Sequence, residues 1–272
     1  MPDSSRISAA FHQKAVEYDQ HVLVQKRVVA QLAGSIKQHL NRTPEHILDV
    51  GTGTGALLER LHVQYPAARL TGVDLAFNMC VRARQKLGPA CCTVNGAAEH
   101  LPFKTGTFDL VVSASALQWV RDLSAALHEF CRVARPGGDI VLAFFCDGTL
   151  GELQHCFRDA VLQRNAGSSQ RVSRLHDFWS EDDVMSIVSG MDFEQIVVTA
   201  ETEVDWYGDL YALLRSIRNI GAGTVAGGAG TGLGWRGILQ ETSRLYQERY
   251  GQEGRIPATY KVLYLSARTP AR

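Results

Sequence analysis

Two acidic residues bracket a glycine-rich stretch. Asp49 stands two residues ahead of Gly51 in Ile47-Leu48-Asp49-Val50-Gly51-Thr52-Gly53-Thr54-Gly55, and Asp74 closes the segment Arg69-Leu70-Thr71-Gly72-Val73-Asp74. Glycine adopts positive φ without steric cost and lets a ligand approach the backbone, while amides at the start of a following helix face the bound group. Asp74 lies ~20 residues beyond the turn, the separation at which a carboxylate accepts hydrogen bonds from a ribose diol. Gly51, Gly53 and Ala56 alone also satisfy a dinucleotide fingerprint, so the acids must decide. Asp49 gains nothing beside an anionic pyrophosphate. It suits a nucleoside ligand that bears positive charge and no phosphate.

These residues need a scaffold to position them. A helical apolar pattern through Val22, Val28, Val29, Leu32 and Ile36 occupies residues 11–40. Strands at 46–50, 69–74, 91–95, 108–113 and 139–145 then alternate with helices at 55–63, 76–87 and 122–134. Such alternation predicts a parallel sheet covered on both faces, with ligands at the carboxyl ends of the strands, where all the motifs are expected. Beyond Phe145 the pattern gives helices at 149–164, 180–190, 207–220 and 235–250, and strands at 193–204 and 258–267. A polar loop at 165–178 and the glycine-rich stretch Gly221 to Gly234 interrupt them, the latter read as a lid or hinge because no strand leads into it. These connections are too long for simple loops and are expected to fold as a helical cap over the cleft.

Five motifs occur in register: the glycine turn with Asp49, the acid Asp74, Glu99-His100-Leu101-Pro102-Phe103, Phe108-Asp109-Leu110-Val111-Val112-Ser113, and Arg135-Pro136-Gly137-Gly138. Together they resemble the class I S-adenosylmethionine-dependent methyltransferases over roughly residues 45 to 146. S-adenosylmethionine carries an ammonium and a sulfonium and no phosphate, as the two acids require. The resemblance implies an α/β, Rossmann-like fold: a mostly parallel seven-stranded sheet, helices on both faces and a helical cap inserted among the last strands. It implies a cofactor site of Asp49, Gly51, Thr52, Gly53, Gly55, Asp74, Leu75, Gly96, Ala97, Ala98, Glu99 and Ser113. One departure stands out: these enzymes commonly have Gly-Asp before Leu-Pro-Phe, the acid meeting the adenine amine, and here the pair is Gly96-Ala97.

At 272 residues and 45% hydrophobic content the chain buries a full core, and one elaborated domain is expected. Its parts are N-terminal helices (1–45), a cofactor-binding core (46–146) and cap insertions (147–192 and 207–256). The formal net charge is zero, which gives no support to a nucleic-acid partner, and there is no Asn-Pro-Pro-Tyr acceptor motif. No run of about eighteen apolar residues and no secretory core near Met1 to Ala10 is present, so a cytoplasmic protein without membrane attachment is expected. The six cysteines show no C-x-x-C pair and no histidines at zinc spacing, which favours reduced thiols and no metal.

The methyl acceptor rests on other residues. Ser113-Ala114-Ser115-Ala116-Leu117-Gln118-Trp119-Val120 follows the fourth strand, and its Ala-Leu-Gln-Trp core resembles two carboxylate O-methyltransferase families, acting on malonyl-acyl-carrier protein and on trans-aconitate. Phe11-His12-Gln13-Lys14-Ala15-Val16-Glu17-Tyr18-Asp19, Leu213-Leu214-Arg215-Ser216-Ile217-Arg218-Asn219-Ile220-Gly221-Ala222 and Pro257-Ala258-Thr259-Tyr260 resemble the first family, which begins pimelate assembly for biotin. That resemblance spans nearly the whole chain. It implies an acceptor carboxylate already ionised at neutral pH, so no general base is expected, though His100 and Tyr18 are candidates by type. Tyr18, Gln118, Trp119 and Arg215 are expected to orient the substrate. The implied partner is an acidic acyl carrier protein bearing malonyl-phosphopantetheine, or malonyl-coenzyme A, docking on Arg158, Arg164, Arg171, Arg174 and Arg218. The alternatives are a small-molecule carboxylate methyltransferase of the trans-aconitate type and a non-catalytic protein that keeps the fold for interaction.

Overall fold

The computed structural model of the chain describes residues 4–14, 18, 23–40, 42–163, 176–220 and 233–271. Helices α1 (Ser4–Lys14) and α2 (Leu23–His39) precede β1 (His46–Val50), α3 (Ala56–Gln64), β2 (Arg69–Asp74), α4 (Phe77–Leu87) and β3 (Cys91–Asn95). Next come β4 (Phe108–Ala114), α5 (Leu123–Val133), β5 (Ala134–Phe145), α6 (Gly151–Gln163) and α7 (Glu181–Ser189). The chain closes with β6 (Gln195–Tyr207), α8 (Leu210–Asn219), α9 (Leu233–Tyr250) and β7 (Ile256–Arg268). The first helix begins ahead of the expected apolar pattern.

The strands form a seven-stranded sheet ordered β3-β2-β1-β4-β5-β7-β6. Strands β1 to β5 run parallel, and β7 lies antiparallel between β5 and β6. The chain builds outward from β1 to β3 and then returns to place β4 on the other side of β1. Loops leaving the carboxyl ends of β1 and β4 therefore diverge, and this switch point is where a parallel α/β sheet opens a ligand crevice.

Side-chain alternation sorts the strands between two cores. Ile47, Val112, Ala143 and Phe145 pack with α2, α3, α6 and α9, while Leu48, Val111, Leu142 and Phe144 pack with α5 and α7. Helix α5 shows why such a segment folds: Leu123, Ala126, Leu127, Phe130 and Val133 share its buried face, and the Asp122 carboxylate caps it by accepting the Ala125 N–H at 2.8 Å.

The long insertions divide between the two faces. Helices α6 and α9 join through the Phe157 and Trp235 rings, 5.6 Å apart, and through Asp159–Arg249 at 2.5 Å. With α8 they extend the core beside α2. Helix α7, capped by Ser180 and Asp183, covers the opposite face. Most of the loop at 165–178 and of the glycine-rich stretch 221–234 falls outside the described residues.

One expectation is corrected. Strand β5 begins at Ala134, so Arg135-Pro136-Gly137-Gly138 lies at its amino end, across the sheet from the glycine turn and not at a carboxyl end. Arg135 pairs there with Asp109 at 2.7 Å, and Asp109 accepts the amides of Glu45 and His46 at 3.0 and 2.8 Å. This motif ties the amino ends of β1, β4 and β5 together and takes no part in the cleft.

Candidate active site

At the end of β1 the chain reverses through Gly51, Gly53 and Gly55, with φ of 73°, 54° and 84°. All three values are left-handed, where a side chain is strained. The turn hangs on β2, since the Gly51 and Thr52 amides donate to the Val73 carbonyl at 2.8 and 3.0 Å. A Cβ on Gly51 would sit 2.2 Å from Ala116 Cβ, so the turn lies directly against the loop after β4. A Cβ on Gly53 would meet nothing within 4 Å and would project into space lined by the cleft.

Asp74 locks this turn. Its Oδ2 accepts the Gly53 N–H at 2.9 Å and its Oδ1 the Ala76 N–H at 2.8 Å. Burial pushes its carboxyl up to about 6, with those two amides opposing. Asp49 is 1% exposed and its Oδ1 has no hydrogen-bond partner among the described residues. Burial pushes it up to about 7, the Thr52 side chain opposing and Asp74 adding to the rise. A buried carboxylate without a counter-charge, at the edge of a cavity, fits an ammonium group, and the open space over Gly53 fits a nucleoside against the backbone.

Three adjoining cavities surround this point. The first runs from Asp74 and Leu75 past Gly96, Ala97 and Glu99 to Trp119. Helix α1 helps to enclose it with Ile7, Ser8 and Phe11, a contribution the sequence pattern did not reveal; Ser8 Oγ donates to the Leu75 carbonyl at 3.0 Å and Asn78 Nδ2 to the His12 carbonyl at 3.0 Å. Glu99 Oε1 accepts the Arg121 amide at 3.0 Å. The Leu101–Phe103 wall is clamped from α5: Glu129 accepts the Leu101 amide at 2.6 Å, and Arg132 donates to the carbonyls of Leu101 and Phe103 at 3.0 and 2.8 Å. The second cavity holds Asp49, Thr52 and Thr54, with Lys26, Arg60 and Lys86 bringing positive charge and Glu59 negative, Lys86 lying 3.5 Å from Glu59. The third is mostly carbon-lined, by Phe11, Trp119, Phe145, Leu150, Phe178 and Ile217 among others.

The loop after β4 connects them. Gln118 is 2% exposed, and its Nε2 donates to the Ser115 carbonyl at 2.7 Å, holding a tight turn. Trp119 meets Phe11 edge-on at 5.6 Å and His176 at 4.7 Å between ring centres. His176, absent from the sequence expectations, is buried with Nε2 2.8 Å from the Gln118 carbonyl. That contact requires a proton on Nε2. Burial holds His176 below its usual pKa, with the Gln118 carbonyl opposing, so the ring is neutral at physiological pH.

The structure brings together Tyr18, Asp49, Gly51, Thr52, Gly53, Asp74, Leu75, Gly96, Ala97, Ala98, Glu99, Gln118 and Trp119 around these cavities. It does not place Ser113 or Gly55 on their walls. Ser113 is fully buried and its Oγ donates to the Val50 carbonyl at 2.7 Å, which ties β4 to β1. Arg215 and Arg218 are exposed on α8, and neither lines these three cavities; Leu213 and Ile217 lie on the buried face of that helix. Arg158 is exposed on α6, and Arg164, Arg171 and Arg174 lie outside the described residues.

Comparisons with known proteins identify the family and the fold. A family profile described as "Methyltransferase domain" matches residues 48–142. A malonyl-acyl-carrier-protein O-methyltransferase of Geobacter sulfurreducens is 40% identical over 97% of this chain and 98% of its own length. The biotin biosynthesis bifunctional protein BioHC of Teredinibacter turnerae is 30% identical over 97% of this chain and 47% of that protein. Among solved structures, a Haemonchus contortus phosphoethanolamine N-methyltransferase 2 in complex with S-adenosylhomocysteine matches the fold with a TM-score of 0.54 at 19% identity, over 89% of this chain and 53% of that one. With a match end to end at 40% identity, through both insertions and the closing strand, the chain belongs to the malonyl-acyl-carrier-protein O-methyltransferase family.

Proposed function

We propose that this protein methylates the free carboxylate of a malonyl group carried as a thioester on an acyl carrier protein, in the cytoplasm, at the start of pimeloyl assembly for biotin. S-adenosylmethionine is the methyl donor and S-adenosylhomocysteine the product. The observation that carries the reading is the near full-length match to the Geobacter relative, because the nucleoside-binding half alone hosts many acceptors.

The site's chemistry supports it. When bound, S-adenosylmethionine supplies a methyl group activated by the sulfonium. Asp49 would hold its ammonium, Asp74 its ribose diol and the Gly96–Glu99 wall its base, for which backbone, Glu99 or water would replace the usual acid. A carboxylate acceptor is ionised at neutral pH, so the protein must align it and exclude water more than deprotonate it. The apolar third cavity, reached past Trp119, provides that exclusion. Exposed cations outside it, Arg158 and those about the second cavity, suit an acidic carrier. Esterification cancels the terminal charge and so lets the acyl chain enter apolar pockets that reject a carboxylate.

Expression in a bacterium unable to methylate the malonyl carrier tests the assignment. Growth without biotin should return with the native chain and not with Asp49→Lys. Failure of the native chain, while it is present and folded, would count against the reading.

A further inference from the structure

Ser115 stands where the three cavities meet. It and Tyr18 are the residues common to the linings of all three. Its backbone has φ of 56°, a left-handed conformation that costs a non-glycine residue on the order of 1 kcal/mol or more. Of the three described non-glycine residues with positive φ, a second, Leu150, also lines the third cavity. The amide of Ser115 donates to the Ala143 carbonyl at 2.7 Å and its carbonyl accepts from Gln118, which hold the residue in this conformation. Its hydroxyl, by contrast, is buried and has no hydrogen-bond partner among the described residues. A polar group is thus held in a strained conformation and left unsatisfied, an arrangement that is costly unless a ligand completes it.

The surroundings say which ligand group. No charged side chain lines the third cavity among the described residues. Two of its other polar groups are committed: Thr149 Oγ1 donates to the Lys261 carbonyl at 3.1 Å, and Gln118 Nε2 serves the Ser115 carbonyl, while Gln118 Oε1, without a partner among the described residues, is an acceptor and offers an anion nothing. An anion bound at this junction would have beside it the Ser115 hydroxyl, a buried neutral donor with no partner among the described residues. For methyl transfer that neutrality matters. A cation would stabilise the ground-state carboxylate and weaken its attack, because the transition state disperses that charge, whereas one hydroxyl orients the group and leaves most of its nucleophilicity.

We propose that Ser115 Oγ donates a hydrogen bond to one oxygen of the acceptor carboxylate and so presents the other to the methyl donor. This rests on the malonyl-carrier reading above. The attacking oxygen forms a bond to the methyl carbon as the carbon–sulfur bond breaks, and the electron pair leaves with sulfur. A carboxylate and a sulfonium become an ester and a thioether, no proton is released, and the Ser115 hydroxyl keeps its own. It is a catalytic residue by contact, not a base.

Ser115→Gly removes the hydroxyl and relieves the backbone strain, so it folds at least as well as the native protein. The test measures equilibrium binding of malonyl-carrier and acetyl-carrier to protein saturated with S-adenosylhomocysteine. The acetyl form presents the same carrier and thioester without the carboxylate. In the native protein malonyl-carrier should bind tighter; in Ser115→Gly that preference should fall by about tenfold or more, the worth of a hydrogen bond to a charged group, with acetyl-carrier binding unchanged. Turnover should fall as well, and Ser115→Cys, which keeps a weak donor, should recover part of both. An undiminished malonyl preference in Ser115→Gly would overturn the role of Ser115 and leave the malonyl-carrier reading standing. A native protein that does not distinguish the two carriers would overturn that reading, and this role with it.

Discussion

The Asp74 carboxylate accepts the Gly53 N–H at 2.9 Å, which makes the acid at the end of β2 and the glycine turn after β1 one preassembled unit. The second Asp74 oxygen accepts the Ala76 amide, so the same side chain also fixes the entry to α4. A ribose bound at Asp74 therefore meets a carboxylate already aimed by two backbone donors. Asp74→Ala leaves both amides without their acceptor as well as removing the ribose contact. Calorimetric titration with S-adenosylhomocysteine should show at least about a tenfold loss of affinity, the scale of a charge-assisted hydrogen bond. Unchanged affinity would mean that Asp74 serves the turn alone.

Asp49 makes binding depend on pH. In the free protein burial raises its carboxyl to about 7, so near and below neutrality the group holds a proton that an incoming ammonium must displace. Affinity for S-adenosylhomocysteine should rise as pH rises through about 7 and level off above it, with proton release on binding near neutral pH. The folding linkage has the opposite sense. A carboxyl whose pKa is raised on folding binds more protons in the native state, so its destabilising effect is absent below the ordinary 3.8, grows through the interval up to about 7, and is complete above that. Asp49→Asn should thus raise the melting temperature of the ligand-free protein at pH 8 and weaken ligand binding. A melting temperature that falls instead would contradict the buried, uncompensated charge.

Two glycines two residues apart should fail in different ways. Gly51→Ala drives a Cβ to within 2.2 Å of Ala116 Cβ at a φ of 73°, and should destabilise the fold by a few kcal/mol, with the loop after β4 displaced. Gly53→Ala meets open space, so its cost to folding is only the strain at a φ of 54°, about 1 kcal/mol. Its methyl group occupies the cleft, however, and cofactor affinity should drop far more than stability. Thermal melts and titrations of both variants check the contrast; equal stability losses would refute it.

The half of the candidate site proposed for the cofactor was legible in the sequence because its signals are local. Asp49, the glycines and Asp74 sit at fixed distances from strand ends, and the alternation that defines β1 and β2 also places them. The acceptor half was less legible, since it is assembled from α1, the loop after β4, the segment at His176 and the end of α8. Spacing put Arg215 and Arg218 on one side of a helix but not on which side; the apolar Leu213 and Ile217 took the buried face. Ser113 and Ser115 are indistinguishable by type, yet one bonds across to β1 and the other sits at positive φ among three cavities. Proline and glycine signal a turn ahead of a strand at 139–145, whereas β5 runs through Arg135-Pro136-Gly137-Gly138 from Ala134, so the motif belongs to the amino end of the strand and not to the ligand-binding end of the sheet.

The proposed reaction esterifies a malonyl carboxylate on a carrier. Intact-protein mass spectrometry of malonyl-acyl-carrier protein, run in parallel with malonyl-coenzyme A and trans-aconitate, tests it most directly. With S-adenosylmethionine and the native enzyme, the malonyl carrier should gain the mass of one methyl group in place of a proton, with an equal amount of S-adenosylhomocysteine formed. Methylation of trans-aconitate alone, with the malonyl carrier unchanged, would contradict the account.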